Sequence, residues 1–310
     1  MAKETARKRG YKKRYPQDRM LAETKRLLRQ LGLRARKGLG QHFLVDEGVL
    51  ERIIDAAELG PTDVVLEIGP GLGVLTRELA GKAGWVVAVE LDTRLASALK
   101  KELASFNNVA IVNQDILKTS PASLFEGLPP DFPGIGDGRL GYKVVANLPY
   151  YITSAVLRHF LEARFKPKVM VVMVQEEVAE AIVAQPGDMS LLAISVQFYG
   201  RPSVIGYVPA SSFYPAPEVD SAILKIGLYP QPPVSVADRE GFFGLVRAGF
   251  SARRKQLVGS LANGLGLPKA EVLPLLERAE IISRRRAETL TLEEWARLWR
   301  VFAQVGERPW

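Results

Sequence analysis

Cysteine is absent from the 310 residues. The chain therefore has no disulfide, no thiolate nucleophile and no cysteine-based zinc site. Histidine is nearly absent too, with only His42 and His159, so a histidine-rich metal centre is excluded and no metal is expected. Long apolar runs are missing. The longest strongly apolar stretch, 169–174, is far short of a membrane span. The N-terminal MAKETARKRGYKKRYPQDR has no apolar h-region and does not read as a secretory signal. Its early acids, Glu4 and Asp18, count against an organelle transit peptide. A reducing, cytoplasmic setting without membrane attachment is the expectation.

What is present is globular in composition, 47% hydrophobic and 25% charged, and long enough for one large or two modest domains. The net charge of +8 is unevenly spread. Residues 1–38 hold 14 Lys/Arg and three acids, a net of +11; residues 39–240 hold 16 basic and 24 acidic groups; residues 241–310 hold 12 and 7. A basic end and a basic C-terminal block around an acidic middle suggest a polyanion gripped at two places. The plainer alternative is a solubilising tail and an ordinary solvated helix face.

Residues 1–19 are basic and poor in apolar side chains, the composition of a segment disordered on its own. From Met20 a helical period runs to Gly32, and Val49, Leu50, Ile53, Ile54 and Ala57 mark a second helix. Apolar runs at 63–68, 85–90, 108–113, 142–147 and 168–174 then alternate with helical stretches at 72–82, 93–104 and 152–163. Continuous apolar strands separated by helices predict a parallel sheet covered on both faces, with right-handed connections. The stretch 121–141, rich in Pro and Gly, reads as a loop. Two last strands, 203–208 and 221–228, flank the loop PASSFYPAPEVD; YPQPPV at 229–234 reads as a linker, and helical text follows it.

Val65-Leu-Glu-Ile-Gly-Pro-Gly-Leu-Gly73 puts a strand directly before a glycine turn and a helix, the setting of a nucleotide site at the carboxyl edge of a parallel sheet. Gly69, Gly71 and Gly73 give G-x-G-x-G, whereas a dinucleotide site wants G-x-G-x-x-G with a diphosphate on the helix N-terminus; position 74 is Val. Glu67 beside those glycines is an odd neighbour for a diphosphate and suits an ammonium or sulfonium. Glu90 ends the second strand, placed for two ribose hydroxyls. Asp115, after the third strand, is placed to accept from an exocyclic amine. Three acids and a glycine turn describe S-adenosylmethionine better than a nicotinamide dinucleotide. The alternative is a nucleotide-fold scaffold with incidental acids.

Asn147-Leu-Pro-Tyr150 ends the fourth strand at the same sheet edge. An exocyclic amine such as adenine N6 is a poor nucleophile, because its lone pair is delocalised into the ring. Acceptors on N6–H, namely the Asn147 side-chain oxygen and a backbone carbonyl of Leu148 or Pro149, favour an sp³ nitrogen. Pro149 rigidifies that carbonyl through its fixed φ, and Tyr150 offers an aromatic face for a purine. A second aromatic, Phe213, could close on the other face of a flipped-out base. Read alone, Asn-Leu-Pro-Tyr is also a common strand-ending turn, loop aromatics often cover a core edge, and His42 reads as a satisfied loop histidine.

Together with Leu39-Gly-Gln-His-Phe-Leu44, Ala146-Asn-Leu-Pro-Tyr-Tyr151, Phe213-Tyr-Pro-Ala-Pro-Glu-Val-Asp-Ser221 and Arg253-Arg-Lys-Gln-Leu257, these blocks resemble the ribosomal RNA adenine dimethyltransferase family over about residues 37–305. The resemblance implies a Rossmann-like, doubly wound α/β methyltransferase fold with a small C-terminal all-α domain. The expected organisation is a basic extension over 1–38, an S-adenosylmethionine-dependent methyltransferase domain over 39–232 and a helical rRNA-binding domain over 233–310. It implies dimethylation of N6 on each of two adjacent adenines near the 3′ end of small-subunit rRNA. It further implies that His42, Leu44, Gly69, Glu90, Asp115 and Asn147 contact the cofactor, alongside Glu67 and Gly71. Arg253, Arg254, Lys255, Arg284, Arg285 and Arg286 would hold RNA phosphates. The expected partner is the immature small ribosomal subunit, met by a monomer. The sequence departs from the family at Ala181, where Arg is usual, and over 186–195. Two alternatives stay open: a large-subunit rRNA methyltransferase of the antibiotic-resistance type, and a non-catalytic rRNA-binding assembly or transcription factor on the same fold.

Overall fold

Strand β2 (Val64–Ile68) carries one polar side chain, Glu67, among four aliphatic ones, and every residue in it is buried. Such a strand cannot sit at a wet edge, and each buried aliphatic side chain contributes roughly 1.5–3 kcal/mol. It lies mid-sheet, paired in parallel with β3 (Trp85–Glu90) and β5 (Tyr142–Asn147). With β4 (Val109–Asn113), β6 (Val169–Gln175), β7 (Gly200–Val208) and β9 (Ser221–Leu228) it forms a seven-stranded sheet of order β4-β3-β2-β5-β6-β9-β7. The first five strands are parallel, as the apolar runs predict. The last two join antiparallel. The loop between β7 and β9 holds no crossover helix, so the chain must reverse there.

The computed structural model describes residues 16–36, 38, 40–126, 141–252 and 254–304. Residues 1–15 of the basic extension, most of the predicted 121–141 loop, and Arg253 lie outside that set.

Helices α2 (Glu47–Ala57), α3 (Val74–Lys82), α4 (Thr93–Glu102) and α5 (Thr153–Glu162) cover the parallel strands on both faces. Asp46 and Asp92 cap α2 and α4 by accepting from Val49 N and Arg94 N. Two further helices, α6 (Glu176–Val183) and α7 (Leu191–Tyr199), follow β6 and are not among the predicted elements. α7 is LLAISVQFY, apolar almost all round, which hides the helical period. Ser190 caps it, accepting from Ala193 N.

After the Pro-rich 229–234 stretch come α8 (Arg239–Gly249), α9 (Leu257–Leu265), α10 (Lys269–Arg278) and α11 (Leu292–Ala303). Thr291 and Glu294 form a capping box at the start of α11. One apolar cluster runs from the sheet through Phe198 of α7 and Phe242 of α8, whose rings stack at 5.4 Å, to the fully buried Trp295 of α11.

The extension is helical from Pro16: α1 spans Pro16–Gln30, four residues longer at its start than the period from Met20 suggests. Proline is a favoured first helical residue, since its missing N–H has no partner there anyway. Leu27 and Leu28 of α1 are buried with Phe43, Leu72 and Leu95. Behind α1, Arg94 donates to the Gly32 carbonyl at 3.0 Å, and Lys25 Nζ lies 4.9 Å over the Tyr214 ring. Among its described residues, the basic extension packs against the body through Thr24, Leu27 and Leu28.

Candidate cofactor and base site

The strand ends of β2, β3 and β5 and the turn after β4 open onto one cleft of about 290 Å³. Glu67, Gly69, Gly71, Glu90, Asp115, Asn147, Leu148, Pro149, Tyr150, His42 and Leu44 all line it. This is where ligands sit in open parallel sheets.

Two glycines are forced by the turn after β2. Gly71 has φ +59, and a Cβ there would meet the Phe43 ring at 3.2 Å; Gly73 has φ +76, and a Cβ there would meet Leu99 at 2.7 Å. The backbone can therefore approach a ligand closely at the start of α3.

Glu67 is 1% exposed, and its Oε2 has no hydrogen-bond partner among the described residues. Burial pushes its carboxyl up to about 8, with the Thr76 hydroxyl opposing and the Glu90 charge adding. A buried carboxylate without a partner is costly unless a donor or cation meets it. Glu90 is held differently: Oε1 accepts from Asp92 N at 2.8 Å and Oε2 from Gly71 N at 3.3 Å. Burial raises its pKa against those two amides. Each oxygen keeps a lone pair for a ribose hydroxyl. Asp92 in turn pairs with Arg36 at 3.2 Å. Asp115 Oδ1 accepts from Leu117 N at 3.0 Å, capping a short 3₁₀ turn. The donor set fits S-adenosylmethionine: a buried acid for a cationic end, a tethered acid for ribose, and an acid beside apolar side chains for an adenine edge.

Asn147 Nδ2 donates to the His42 carbonyl at 3.0 Å, which leaves Oδ1 as its free atom. The Pro149 carbonyl accepts from Ile152 N at 3.1 Å, whereas no described residue donates to the Leu148 carbonyl. Of the two backbone acceptors predicted, the Leu148 carbonyl keeps both lone pairs open among the described residues and the Pro149 carbonyl one. His42 Nδ1–H donates to the Pro215 carbonyl at 2.8 Å, and its ring lies 5.9 Å from that of Tyr150, tilted by 18°. The Tyr150 hydroxyl is 2.7 Å from Ser221 Oγ. His159 sits apart, with Nε2 against the Thr119 carbonyl.

Phe213 is placed otherwise than predicted. It pairs with Leu44 across the two-stranded ladder of β1 (Phe43–Leu44) and β8 (Phe213–Tyr214), is 4% exposed, and belongs to the core with Val208 and Ile223. It does not line the cleft. Among the lining residues outside the predicted set, Leu91 and Tyr151 are the large exposed ones, at 50% and 60%. The adjacency of Tyr151 to Tyr150 is the one signal in the sequence that points to it.

The basic C-terminal residues divide. Leu257 N donates to the Arg285 carbonyl at 2.7 Å, which brings the block around 254–255 beside 284–286. Arg254, Lys255 and Arg284 are exposed. Arg286 is exposed and pairs with Glu288 at 3.5 Å. Arg285 is a correction: it is half-buried, its guanidinium bonds Glu294 and Thr289, and it is committed to the start of α11 rather than to solvent.

A family model described as ribosomal RNA adenine dimethylase matches residues 32–304. The chain is 54% identical over 286 residues to a ribosomal RNA small subunit methyltransferase A of Dehalococcoides mccartyi, covering 92% of this chain and 94% of that protein. The protein of the same name from Moorella thermoacetica is 47% identical over 277 residues, with 88% and 94% covered. Among solved structures, a dimethyladenosine transferase from Plasmodium falciparum aligns with TM-score 0.72 and 28% identity over 87% of this chain and 100% of that one. The 23S rRNA methyltransferase ErmE aligns with TM-score 0.63 and 30% identity over 84% and 100%.

Proposed function

The chain belongs to the ribosomal RNA adenine dimethylase family, and on that premise we propose that it dimethylates N6 of two adjacent adenines near the 3′ end of small-subunit rRNA. It is an S-adenosylmethionine-dependent methyltransferase with a Rossmann-like fold and acts on rRNA. The small-subunit reading is favoured over the large-subunit one by 54% identity to the Dehalococcoides small-subunit enzyme against 30% to ErmE. The substrate is the immature small subunit, met by a monomer in the cytoplasm; no helix among the described residues is long and apolar enough to cross a membrane.

The observation that carries the chemistry is the convergence of Glu67, Glu90 and Asp115 with the free Oδ1 of Asn147 on one cleft. S-adenosylmethionine supplies an electrophilic methyl on a sulfonium centre. Glu67 meets the cationic end, Glu90 takes the ribose hydroxyls, Asp115 accepts from the adenine amine, and the glycine turn with His42 and Leu44 shapes the walls. On the substrate side, Asn147 Oδ1 and the Leu148 carbonyl accept from the two N6–H groups before the first transfer and from the one that remains before the second, favouring an sp³ nitrogen. Each new C–N bond replaces the bond from that methyl to sulfur, and N6 gives up one proton to solvent. Pro149 holds the Leu148 carbonyl in place, and Tyr150 stacks the base, a contact worth about 1–3 kcal/mol. Alignment and electrostatics then carry the rate. The C-terminal segment 233–310, in which Arg254, Lys255, Arg284 and Arg286 are exposed, holds RNA phosphates, which position without reading sequence.

The test is nucleoside mass spectrometry of small subunits from a strain lacking its own enzyme, before and after supplying this chain. N6,N6-dimethyladenosine should appear in the 3′-terminal fragment. Its absence with soluble protein present overturns the reading.

A further inference from the structure

With Phe213 in the core, the opening aromatic of the Phe-Tyr-Pro-Ala-Pro-Glu-Val-Asp-Ser block does not line the cleft. The block's last residue does reach the site. Ser221 opens β9, is fully buried, and lies opposite Gln175 of β6 and Val208 of β7 in the sheet. Its backbone is therefore fixed from both sides. Its hydroxyl is 2.7 Å from the Tyr150 hydroxyl, on the far side of the cleft-lining ring. Tyr150 sits in a short 3₁₀ turn, Tyr150–Ile152, which leads directly into α5 and has no side-chain cap, so the backbone bonds of the turn leave the Tyr150 ring itself unfastened. The same loop donates a second fastening, since the Pro215 carbonyl takes the His42 Nδ1–H at 2.8 Å. The neighbouring Asp220 holds the loop itself, accepting from Ala210 N at 2.8 Å through its side chain and from Glu176 N at 3.1 Å through its carbonyl.

We propose that Ser221 is a positioning residue for methyl transfer: its hydroxyl locks the Tyr150 ring at the angle on which the target adenine stacks, and so fixes N6 against Asn147 and Leu148. The inference rests on the reading of Tyr150 as the base platform. A ring with a free hydroxyl keeps its stacking face but swings about its χ angles, so base binding survives while the aligned fraction falls. The loss therefore belongs in turnover rather than in cofactor binding.

The test uses the full chain with labelled S-adenosylmethionine and unmethylated small subunits, comparing Ser221→Ala, Tyr150→Phe and the double variant. One hydrogen bond of ordinary strength corresponds to a loss of about 5–10-fold in kcat. Each single variant should show that loss, with KM for the cofactor unchanged, and the double variant should be no slower than either. Ser221→Thr, which keeps the hydroxyl, should restore most of the rate. Should Ser221→Ala fail to fold, Tyr150→Phe removes the same bond from the tyrosine side and carries the test alone. Wild-type kcat in Tyr150→Phe, or losses that multiply in the double variant, overturn the proposal. Tyr150→Ala separates the two readings. If it too turns over normally, the base-platform reading fails; if it is slow while Tyr150→Phe and Ser221→Ala are normal, only the role of Ser221 fails.

Discussion

The side-chain amide of Asn147 donates to the backbone carbonyl of His42 at 3.0 Å. This bond joins a strand end in the middle of the sheet to a loop 105 residues earlier in the chain. It decides which end of the amide faces the cleft: nitrogen is spent on the protein and oxygen is left facing the cleft. An acceptor is what a reluctant amine needs.

Asn147→Ala should therefore remove transfer while leaving the cofactor site largely intact. Loss of one preorganised polar group of this kind costs about 10²–10³ in kcat. Single-turnover transfer and calorimetric binding of S-adenosylhomocysteine, run on the same preparation, check both halves. Unimpaired turnover removes Asn147 from its role.

Glu67 gives a pH signature. Its carboxyl is held at about 8 in the folded protein against an ordinary 4.5. An acid with a raised folded pKa binds its proton more tightly when folded. Its contribution is complete below the unfolded value and is lost as pH rises through the folded one. The melting temperature of the ligand-free protein should fall between about pH 4.5 and 8 relative to Glu67→Gln, whose curve lacks that component. Parallel curves contradict it.

The same group should release a proton when the cofactor binds. A cationic end beside Glu67 favours the carboxylate, so at pH values between its lowered ligand-bound pKa and about 8 close to one proton leaves per ligand bound. Titration calorimetry of S-adenosylmethionine at pH 7, in buffers of different ionisation enthalpy, should show a heat that tracks the buffer. Buffer-independent heat would mean that Glu67 does not meet the charge.

Arg36 belongs to the extension, yet it pairs with Asp92, whose amide holds Glu90. Arg36→Ala should weaken cofactor binding modestly, about 2–5-fold, because the guanidinium is half exposed and solvent screens it. Dissociation constants measured at low and high salt check this. An unchanged affinity at low salt contradicts it.

The C-terminal arginines should separate by role. Arg254→Ala, Lys255→Ala and Arg284→Ala are expected to weaken small-subunit binding across sequences and to reduce the salt slope by about one for each phosphate no longer neutralised. Arg285→Ala instead breaks a half-buried pair with Glu294, whose own carboxyl Arg285 holds below its usual range. It should lower the melting temperature, with a cost of about 1–3 kcal/mol. Filter binding over a salt series and thermal unfolding distinguish the two.

The central sheet and the acids of the site are readable from sequence because their signals are local. An apolar run ending in Glu90 places a carboxylate at a sheet edge, and a run ending in Asn147 places an amide beside it. The misplacements concern partners that the local residue pattern does not announce. Phe213 is drawn inward by a ladder with Leu44, far away in the chain, which nothing in a loop of aromatics and prolines announces. Arg285 looks like its neighbours in an arginine run, and only the approach of Glu294 sets it apart. The antiparallel turn of the last two strands follows from a loop too short for a helix, and α7 hides its period because it is apolar on nearly every side. Ser221 is one hydroxyl at the start of a strand until the fold brings Tyr150 to it.

The most direct measurement supplies labelled S-adenosylmethionine to unmethylated small subunits and, separately, to naked large-subunit rRNA. Label should enter the small-subunit 3′ end and leave the large-subunit RNA unmarked. Label found only in the large-subunit RNA would contradict the account.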